Sequence, residues 1–497
     1  MNKCHLFGPS KNLVGLMYLS CIWCLHASSQ TPDSFNPSLI GFVNAGAVQP
    51  DGRILVGGQY KTLSTLPYRG LARFNVDGSL DTNFNPAVSP GVQSIAVDPN
   101  GQVLVAASGV NRFNTDGSID SSFISSSSAQ LLLQPDGKIL SDWTRLVRLN
   151  NDGSLDTNFT SGVGSVFALA QQPDGKILVG GTFTSVAGQE RNYLARLNSD
   201  GVLDTNFNPV FSDFVYALAV QPDGKILTGG GSVRRFNADG SLDNGFNANL
   251  HGALALCLTL QTDGKILAGG NYLLTRLNPD GSPDTTFNVP VSDVATWAVW
   301  SIVVQSDGRI VVGGSFSFLG GQNRSNIGRL INTGPVIREL SSDGSTITWM
   351  RGGVGPEVWR TVFAYSTNNV DWVNLGSGER IPGGWQITAV SVPTNATFSA
   401  RGFVVSGRYS CSSWFVEQFL GPLSTNKPSL TVVESAGMPL LSITGDVGRP
   451  YAIEYAPTLA TNSWGALATL LLTNNPQPFL DSSAPTAQRF YRVRLDQ

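Results

Sequence analysis

Few side chains in this chain could carry enzyme chemistry, and their spacing limits what they could do. There are three histidines, His5, His26 and His251, and five cysteines, Cys4, Cys21, Cys24, Cys257 and Cys411. His5 and His26, with the first three cysteines, fall in a leader-like N-terminus, so the body of the chain keeps one histidine and two cysteines. One histidine cannot build a paired-His zinc site, and no partners for a Ser-His-Asp arrangement can be identified around it. Cys257 and Cys411 stand in different parts of the chain, and each reads as a small buried apolar residue rather than half of a disulfide. There is no Gly-x-Gly-x-x-Gly opening a helix and no phosphate-cradling loop. The sequence therefore calls for no cofactor and no metal.

The carboxylates are more numerous, but they recur. Asp77, Asp81, Asp200 and Asp204 belong to one phrase, and the spacing Asn198-x-Asp200-Gly201-x-x-Asp204 has part of a calcium loop. It lacks the leading Asp and the distal bidentate Glu of such a loop. A residue present in nearly every copy of a repeat is better explained by turn capping, in which the Asp side chain accepts backbone N–H bonds. No pair of carboxylates stands out from the repeat as an acid and base flanking a glycosidic bond.

The repeat dominates the first two thirds of the chain. Turn glycines Gly52, Gly101, Gly137, Gly175, Gly224, Gly264 and Gly308 each close a Pro-Asp-Gly-like turn, at intervals of 36 to 49 residues. That period suits one four-stranded propeller blade of roughly 40–50 residues. In the fifth unit the strands read as Val215–Val220, Lys225–Thr228, Val233–Phe236 and Ser241–Phe246. A second signature, Asp-x-x-Phe, ends six units at Phe84, Phe123, Phe159, Phe207, Phe246 and Phe287. The seventh unit lacks it, while Asp33-Ser34-Phe35 near the N-terminus offers a shortened copy. This predicts that the N-terminal strand closes the last blade, which removes free sheet edges.

The phrase Gln172-Pro173-Asp174-Gly175-Lys176-Ile177-Leu178-Val179-Gly180-Gly181, followed by Arg196-Leu197-Asn198 and Asp204-x-x-Phe207, resembles the delta-60 repeat β-propeller proteins of exported bacterial origin. The resemblance covers residues 30–335 and implies fold and export, with no catalytic residues. Units two and three depart from it. Ala106-Ala107 and Ser141-Asp142 replace the glycine pair, which suggests shorter or irregular blades.

The formal charge is −3 with 13% charged residues, so the basic stripe of a nucleic-acid binder is absent. Lys3, Lys11, an apolar run from Leu13 to Leu25 and Ala27-Ser28-Ser29 read as a signal peptide over residues 1–29, cleaved near Ala27. An uncleaved anchor is the alternative, disfavoured because a membrane span needs about 20 apolar residues. The expected setting is secreted or cell-envelope associated, with no membrane span after signal removal.

Beyond the repeats, residues 336–425 hold Trp349, Trp359, Trp372, Trp385 and Trp414 among alternating polar and apolar positions. They read as a Trp-rich β-sandwich. Phe363 to Trp372 is similar to a hairpin of extracellular sandwich modules, some of which bind carbohydrate. Residues 426–497 resemble a small C-terminal β-sandwich of exported bacterial proteins. The expected fold is thus all-β: a seven-bladed β-propeller, then two Ig-like sandwiches.

Two features could bind a ligand. Five positions before each turn's first residue stand Asn44, Gln93, Ala129, Phe167, Tyr216, Leu256 and Trp300. The aromatics among them suggest sugar stacking at a channel mouth, but their phase with apolar Leu169, Leu218 and Ile302 favours inter-blade core. Longer loops after the glycine pair, Gln59–Gly70, Thr182–Tyr193 and Ser315–Asn326, end near Arg69, Arg191 and Arg324. Loops on a rigid scaffold are the usual carriers of function, so these arginines are the candidate ligand contacts, with local pairing to a turn carboxylate or carbonyl as the competing reading. The function read from the sequence is an exported, non-enzymatic binding or adhesion scaffold, with a polysaccharide or a cell-surface protein as partner. The rivals are polysaccharide recognition by the Trp-rich module and a propeller-based glycosidase or lyase.

Overall fold

Each Pro-Asp-Gly phrase folds into the same turn. In the fourth unit Gly175 N donates to Gln172 O at 2.9 Å and Lys176 N to Asp174 Oδ1 at 3.1 Å. Gly175 adopts φ 86°, a left-handed conformation that costs glycine little. The computed structural model of the chain describes residues 30–61, 69–124, 130–142, 145–291, 297–393, 395–406, 412–421, 429–435, 438–444, 450–456, 464–471, 476–481 and 489–495. The leader at 1–29 with its cleavage near Ala27, Cys411 and the linker at 426–428 lie outside them.

Among the described residues the repeats form seven three-stranded antiparallel units and contain no helix. Their first strands are Ile40–Val48, Ser94–Val97, Gln130–Leu133, Val166–Gln171, Ala217–Val220, Leu254–Leu260 and Ala298–Val304. These strands neighbour one another in sequence order, and the last lies against the first, so they line a central channel. Units two and three, which lack the glycine pair, still form complete three-stranded sheets. At the first to second strand interfaces, Leu169, Ile177, Val179 and their equivalents are fully buried.

A fourth full strand does not form. The expected Ser241–Phe246 strand contributes one bridge, Phe236 to Leu242, and the same single bridge recurs at Leu80, Ile119, Leu155, Leu203 and Pro283. The ladder stops because the aspartate that follows is drawn to the third strand. Asp243 Oδ2 accepts Nε of Arg235 at 2.8 Å, and Phe246 N turns back to Asp243 O at 3.2 Å. The phenylalanine ring then lies under the arginine, with the guanidinium carbon 4.6 Å from its centre.

This Arg-Asp-Phe triplet repeats around the molecule, and the arginine reaches one unit further. Nη1 donates to a turn of the next unit: Arg73 to Thr115 O, Arg112 to Asn151 O, Arg148 to Ser199 O, Arg196 to Ala238 O, Arg235 to Pro279 O and Arg276 to Asn332 Oδ1. Arg329, in the seventh unit, reaches Val76 O of the first. Its acid partner is Asp33 at 2.6 Å, and its ring partner is Phe35 at 4.9 Å. Pro32 bridges Leu330, Asp33 N donates to Arg329 O, and Ile331 N donates to Thr31 O.

Residues 336–420 form two facing antiparallel sheets. Strands Val336–Ser342, Ile347–Gly353, Gly384–Ile387 and Glu379–Ile381 make one. Val373–Ser377, Arg360–Ser366, Thr397–Ser406 and Ser412–Leu420 make the other. Trp349, Phe363, Ala400 and Trp414 fill the space between. The last two strands form a hairpin that enters the central channel. Thr397–Ser406 lies against the first strands of units six and seven, and Ser412–Leu420 against those of units one, two and three. Ser406 Oγ meets Thr259 Oγ1 and Ile302 O, Ile95 N donates to Ser412 Oγ at 3.4 Å, and Ser413 pairs in parallel with Ala96. Ser406 and Ser412 are both fully buried. Arg401 adds a bond to Pro99 O, and Gln261 one to Val354 O.

The hairpin stands off-centre. Between it and units four and five a crevice of about 50 Å³ remains, lined by Leu132, Ala170, Leu218, Val220, Trp359 and Val405.

The C-terminal segment builds two small sheets: Ser429–Ser435, Met438–Thr444 and Gln477–Leu480, then Gly465–Leu471, Pro450–Ala456 and Phe490–Leu495. Leu441, Ile443, Tyr451 and Ile453 are its buried centre. Arg489 and the Tyr491 hydroxyl both bond Asp481, and burial together with that carboxylate pushes the Tyr491 phenol up to about 12.

Candidate binding site

The glycine pair that marks the repeat shapes the channel mouth. In units one, four, six and seven the first strand carries an extra residue opposite that pair, at Asn44, Phe167, Leu256 and Trp300. Each is a β-bulge, which leaves one residue outside the ladder and re-aims its side chain. A methyl group on the second glycine would meet a carbonyl of the bulged strand: Gly58 at 2.1 Å from Phe42 O, Gly181 at 2.1 Å from Ser165 O, Gly314 at 2.1 Å from Ala298 O. A methyl group on the first glycine would strike the next unit, as Gly180 against Val215 at 2.3 Å. No register shift occurs in units two and three, which lack the pair, nor in unit five, which has Gly229 and Gly230.

At Phe167 and Trp300 the bulges overturn the expectation of inter-blade core, while Tyr216 stands just before an unshifted ladder, its N donating to Gly229 O at 2.7 Å. The phase argument assumed unbroken alternation, and the extra residue breaks it. All three are half-buried and belong to an aromatic crown at the end of the channel opposite the hairpin's entry. Phe167 and Tyr216 stack at 5.4 Å with 12° between planes, and Phe214 and Tyr193 continue the cluster edge to face. Phe42 packs on Trp300 at 5.6 Å, and Tyr272 on Trp297 at 6.1 Å. Phe42, Phe214 and Tyr272 are 46%, 43% and 55% exposed, unusual for large rings on a folded surface. Sequence reasoning missed these last three and Trp297. The glycine pair was a partial signal for the bulges, since unit five carries the pair without one.

Asp142 occupies the place of the first glycine in unit three. Its carboxyl is buried, accepts Val166 N at 3.1 Å, and is pushed up to about 6 by that burial.

The three loop arginines are placed as staples. Arg191 is buried and donates to Glu190 O at 2.7 Å and Thr205 O at 3.4 Å. Arg324 is buried, bonded to Asn323 O, Gln322 Oε1 and Asp33 O. Arg69 donates to Asn85 Oδ1 at 2.7 Å. Each ties its loop to the segment around an Asp-x-x-Phe signature, which is the local pairing weighed above. A ligand would have to displace those bonds.

The repeated aspartates divide by role. Asp77, Asp116, Asp152, Asp239 and Asp280 cap turns by accepting N–H and O–H from a serine two residues on. Asp81, Asp120, Asp156, Asp204, Asp243 and Asp284 hold the arginine and, in four units, a lysine of the turn as well. Those cations and hydrogen bonds hold the carboxyls of Asp120, Asp156 and Asp243 down at about 2. Cys257 is buried with its Sγ directed at Val299 O, and His251 is exposed in a turn where its N–H bonds Asn249. In the Trp-rich module Trp349, Trp385 and Trp414 are buried and Trp359 faces the crevice. Only Trp372 is open, packed on Phe419 at 5.5 Å.

These features define a repeat β-propeller, a ring-type scaffold of short antiparallel sheets. Residues 49–84, 99–123, 143–159, 172–207, 221–246, 261–287 and 305–334 match the family described as "Domain of unknown function (DUF5122) beta-propeller". No curated protein matches the chain. Among solved structures, the extracellular domain of a hybrid two-component system from B. thetaiotaomicron is similar at 12% identity and a TM-score of 0.40, with 78% of this chain covered. The chain spans 58% of the length of that structure. A protein of unknown function from Bacteroides caccae is similar at 17% identity and a TM-score of 0.33, over 47% of this chain and 93% of that one. The C-terminal WD40 domain of Sif2 is similar at 12% identity and 0.32, over 65% and 82%. No helix among the described residues is long and apolar enough to cross a membrane.

Proposed function

We propose that the chain is an exported, seven-bladed β-propeller closed by its N-terminal segment and followed by two Ig-like sandwiches, and that it works as a non-enzymatic binding or adhesion scaffold. The observation that carries this reading is the asymmetry of the channel. Strands Thr397–Ser406 and Ser412–Leu420 enter it from the turn face and meet Thr259, Ile302 and Ile95, while the opposite face presents exposed rings. An open face of apolar rings on a rigid support is a binding surface rather than packing. The carboxylates of Asp81, Asp120, Asp156, Asp204, Asp243 and Asp284 are committed to arginine and lysine partners, which supports the same reading.

The test is a pull-down of the whole mature chain, residues 30–497, against purified polysaccharides and a cell-envelope fraction. Saturable retention without release of reducing ends is expected. Turnover of any polysaccharide, or no retention on any of them, sinks the reading. One observation favours a second reader, the open Trp372–Phe419 pair. Loss of retention in Trp372→Ala alone moves the site to the Trp-rich module.

A further inference from the structure

We infer that the aromatic crown is a platform for an uncharged glycan. This rests on the scaffold reading and names the ligand of its open face. The first argument is chemical. A pyranose ring presents flat faces of weakly positive C–H groups, and aromatic faces carry the negative side of a quadrupole. Phe42 with Trp300, Phe214 with Tyr216 and Phe167, and Tyr272 with Trp297 supply such rings in three groups at one end of the channel.

The second argument is charge. The seven equivalent positions are Asn44, Gln93, Ala129, Phe167, Tyr216, Leu256 and Trp300, and none is charged. Anionic polymers favour cations in such a ring, and Arg191 and Arg324 are bonded into their loops. Amide side chains and aromatics together suit hydroxyl-rich, neutral ligands, in the usual pattern of apolar walls with a few placed polar groups.

The third argument is construction. Phe167 and Trp300 are aimed by backbone bulges, and those bulges rest on glycine pairs in which any side chain collides. Rings held by backbone geometry lose little freedom on binding, which favours recognition by stacking.

The experiment is affinity electrophoresis of the whole mature chain through gels containing β-1,3-glucan, xyloglucan or mannan. Polygalacturonate gels and a library of Pro- and aromatic-rich peptides serve as the other arms. Retardation by at least one neutral glycan is expected. Trp300→Ala and Tyr216→Ala should each weaken it about tenfold or more, at unchanged melting temperature, while Trp372→Ala leaves it intact. Retardation that both crown variants leave unchanged overturns the inference while the scaffold reading stands. Binding confined to polygalacturonate or to peptides also overturns it and keeps the scaffold. Silence from all these ligands and from the envelope fraction removes both.

Discussion

Arg329 donates its Nε to Asp33 Oδ2 at 2.6 Å across 296 positions of sequence. The same pair is eight residues apart in every other unit, as in Arg196 and Asp204. The last link of a sevenfold pattern is thus supplied by the other end of the chain.

Asp33→Asn removes one charge from this contact and leaves Arg329, only 3% exposed, without its carboxylate. Breaking a buried pair from one side costs about 3–5 kcal/mol. Thermal unfolding should show a lowered transition for Asp33→Asn. An unchanged transition means that the N-terminal segment does not hold the ring.

Acid should act through the equivalent aspartates. Asp120, Asp156 and Asp243 titrate at about 2 in the folded chain, below the roughly 3.9 of an unfolded aspartate. A depressed pKa contributes stability above pH ~4 and loses it as pH falls through about 2. Melting temperature should therefore fall steeply between about pH 4 and pH 2, and less so in Arg148→Ala, where Asp156 has lost one of its cations.

Asp142 has the opposite sign. Its carboxyl is pushed up to about 6, so the ionised form is penalised in the folded state above that pH. The penalty lifts as pH falls from about 6 to about 4. Asp142→Asn, which keeps an acceptor for Val166 N–H, should stabilise at pH 7.5 by on the order of 2 kcal/mol. At pH 4 the gain should vanish. Equal melting curves at pH 7.5 would contradict this account.

Gly181→Ala places a methyl group 2.1 Å from Ser165 O, a backbone atom that cannot swing aside. The bulge at Phe167 must flatten or the sheet must open, at a cost of about 1–3 kcal/mol or more. Gly188→Ala is the control, since a Cβ there meets nothing within 4 Å. It carries only the penalty of its φ of 78°. The measurement is the difference between their unfolding midpoints.

Much of the architecture is readable from residues alone. Proline-Asp-Gly turns, alternating apolar strands and the Asp-x-x-Phe signature are local, and local chemistry repeats in the sequence when it repeats in space. The shortened copy at Asp33 to Phe35 is legible for the same reason. The fourth strand was misread because Leu242 and Phe246 look like a strand by alternation. The side-chain pull of Arg235 on Asp243, eight residues on, ends the ladder after one bridge, and alternation of apolar residues does not report it.

The site is less legible. Aromatic positions Phe167, Tyr216 and Trp300 are visible in the repeat, but the direction of Phe167 and Trp300 depends on one unpaired residue in each strand, and hydrophobic phase cannot report a bulge. Arg191 and Arg324 look exposed because they sit on long loops, yet carbonyls of adjoining segments bury them.

The sequence by itself determines the repeated turns, the strand pattern and the residues available at each blade position, since these rest on neighbours within a few residues. Only the tertiary structure decides that strands Thr397–Ser406 and Ser412–Leu420 enter the channel and that the rings crown its other end. Those outcomes depend on contacts such as Ser406 with Ile302 and Ser412 with Ile95, separated by 104 and 317 residues, and no local pattern encodes a partner at that distance.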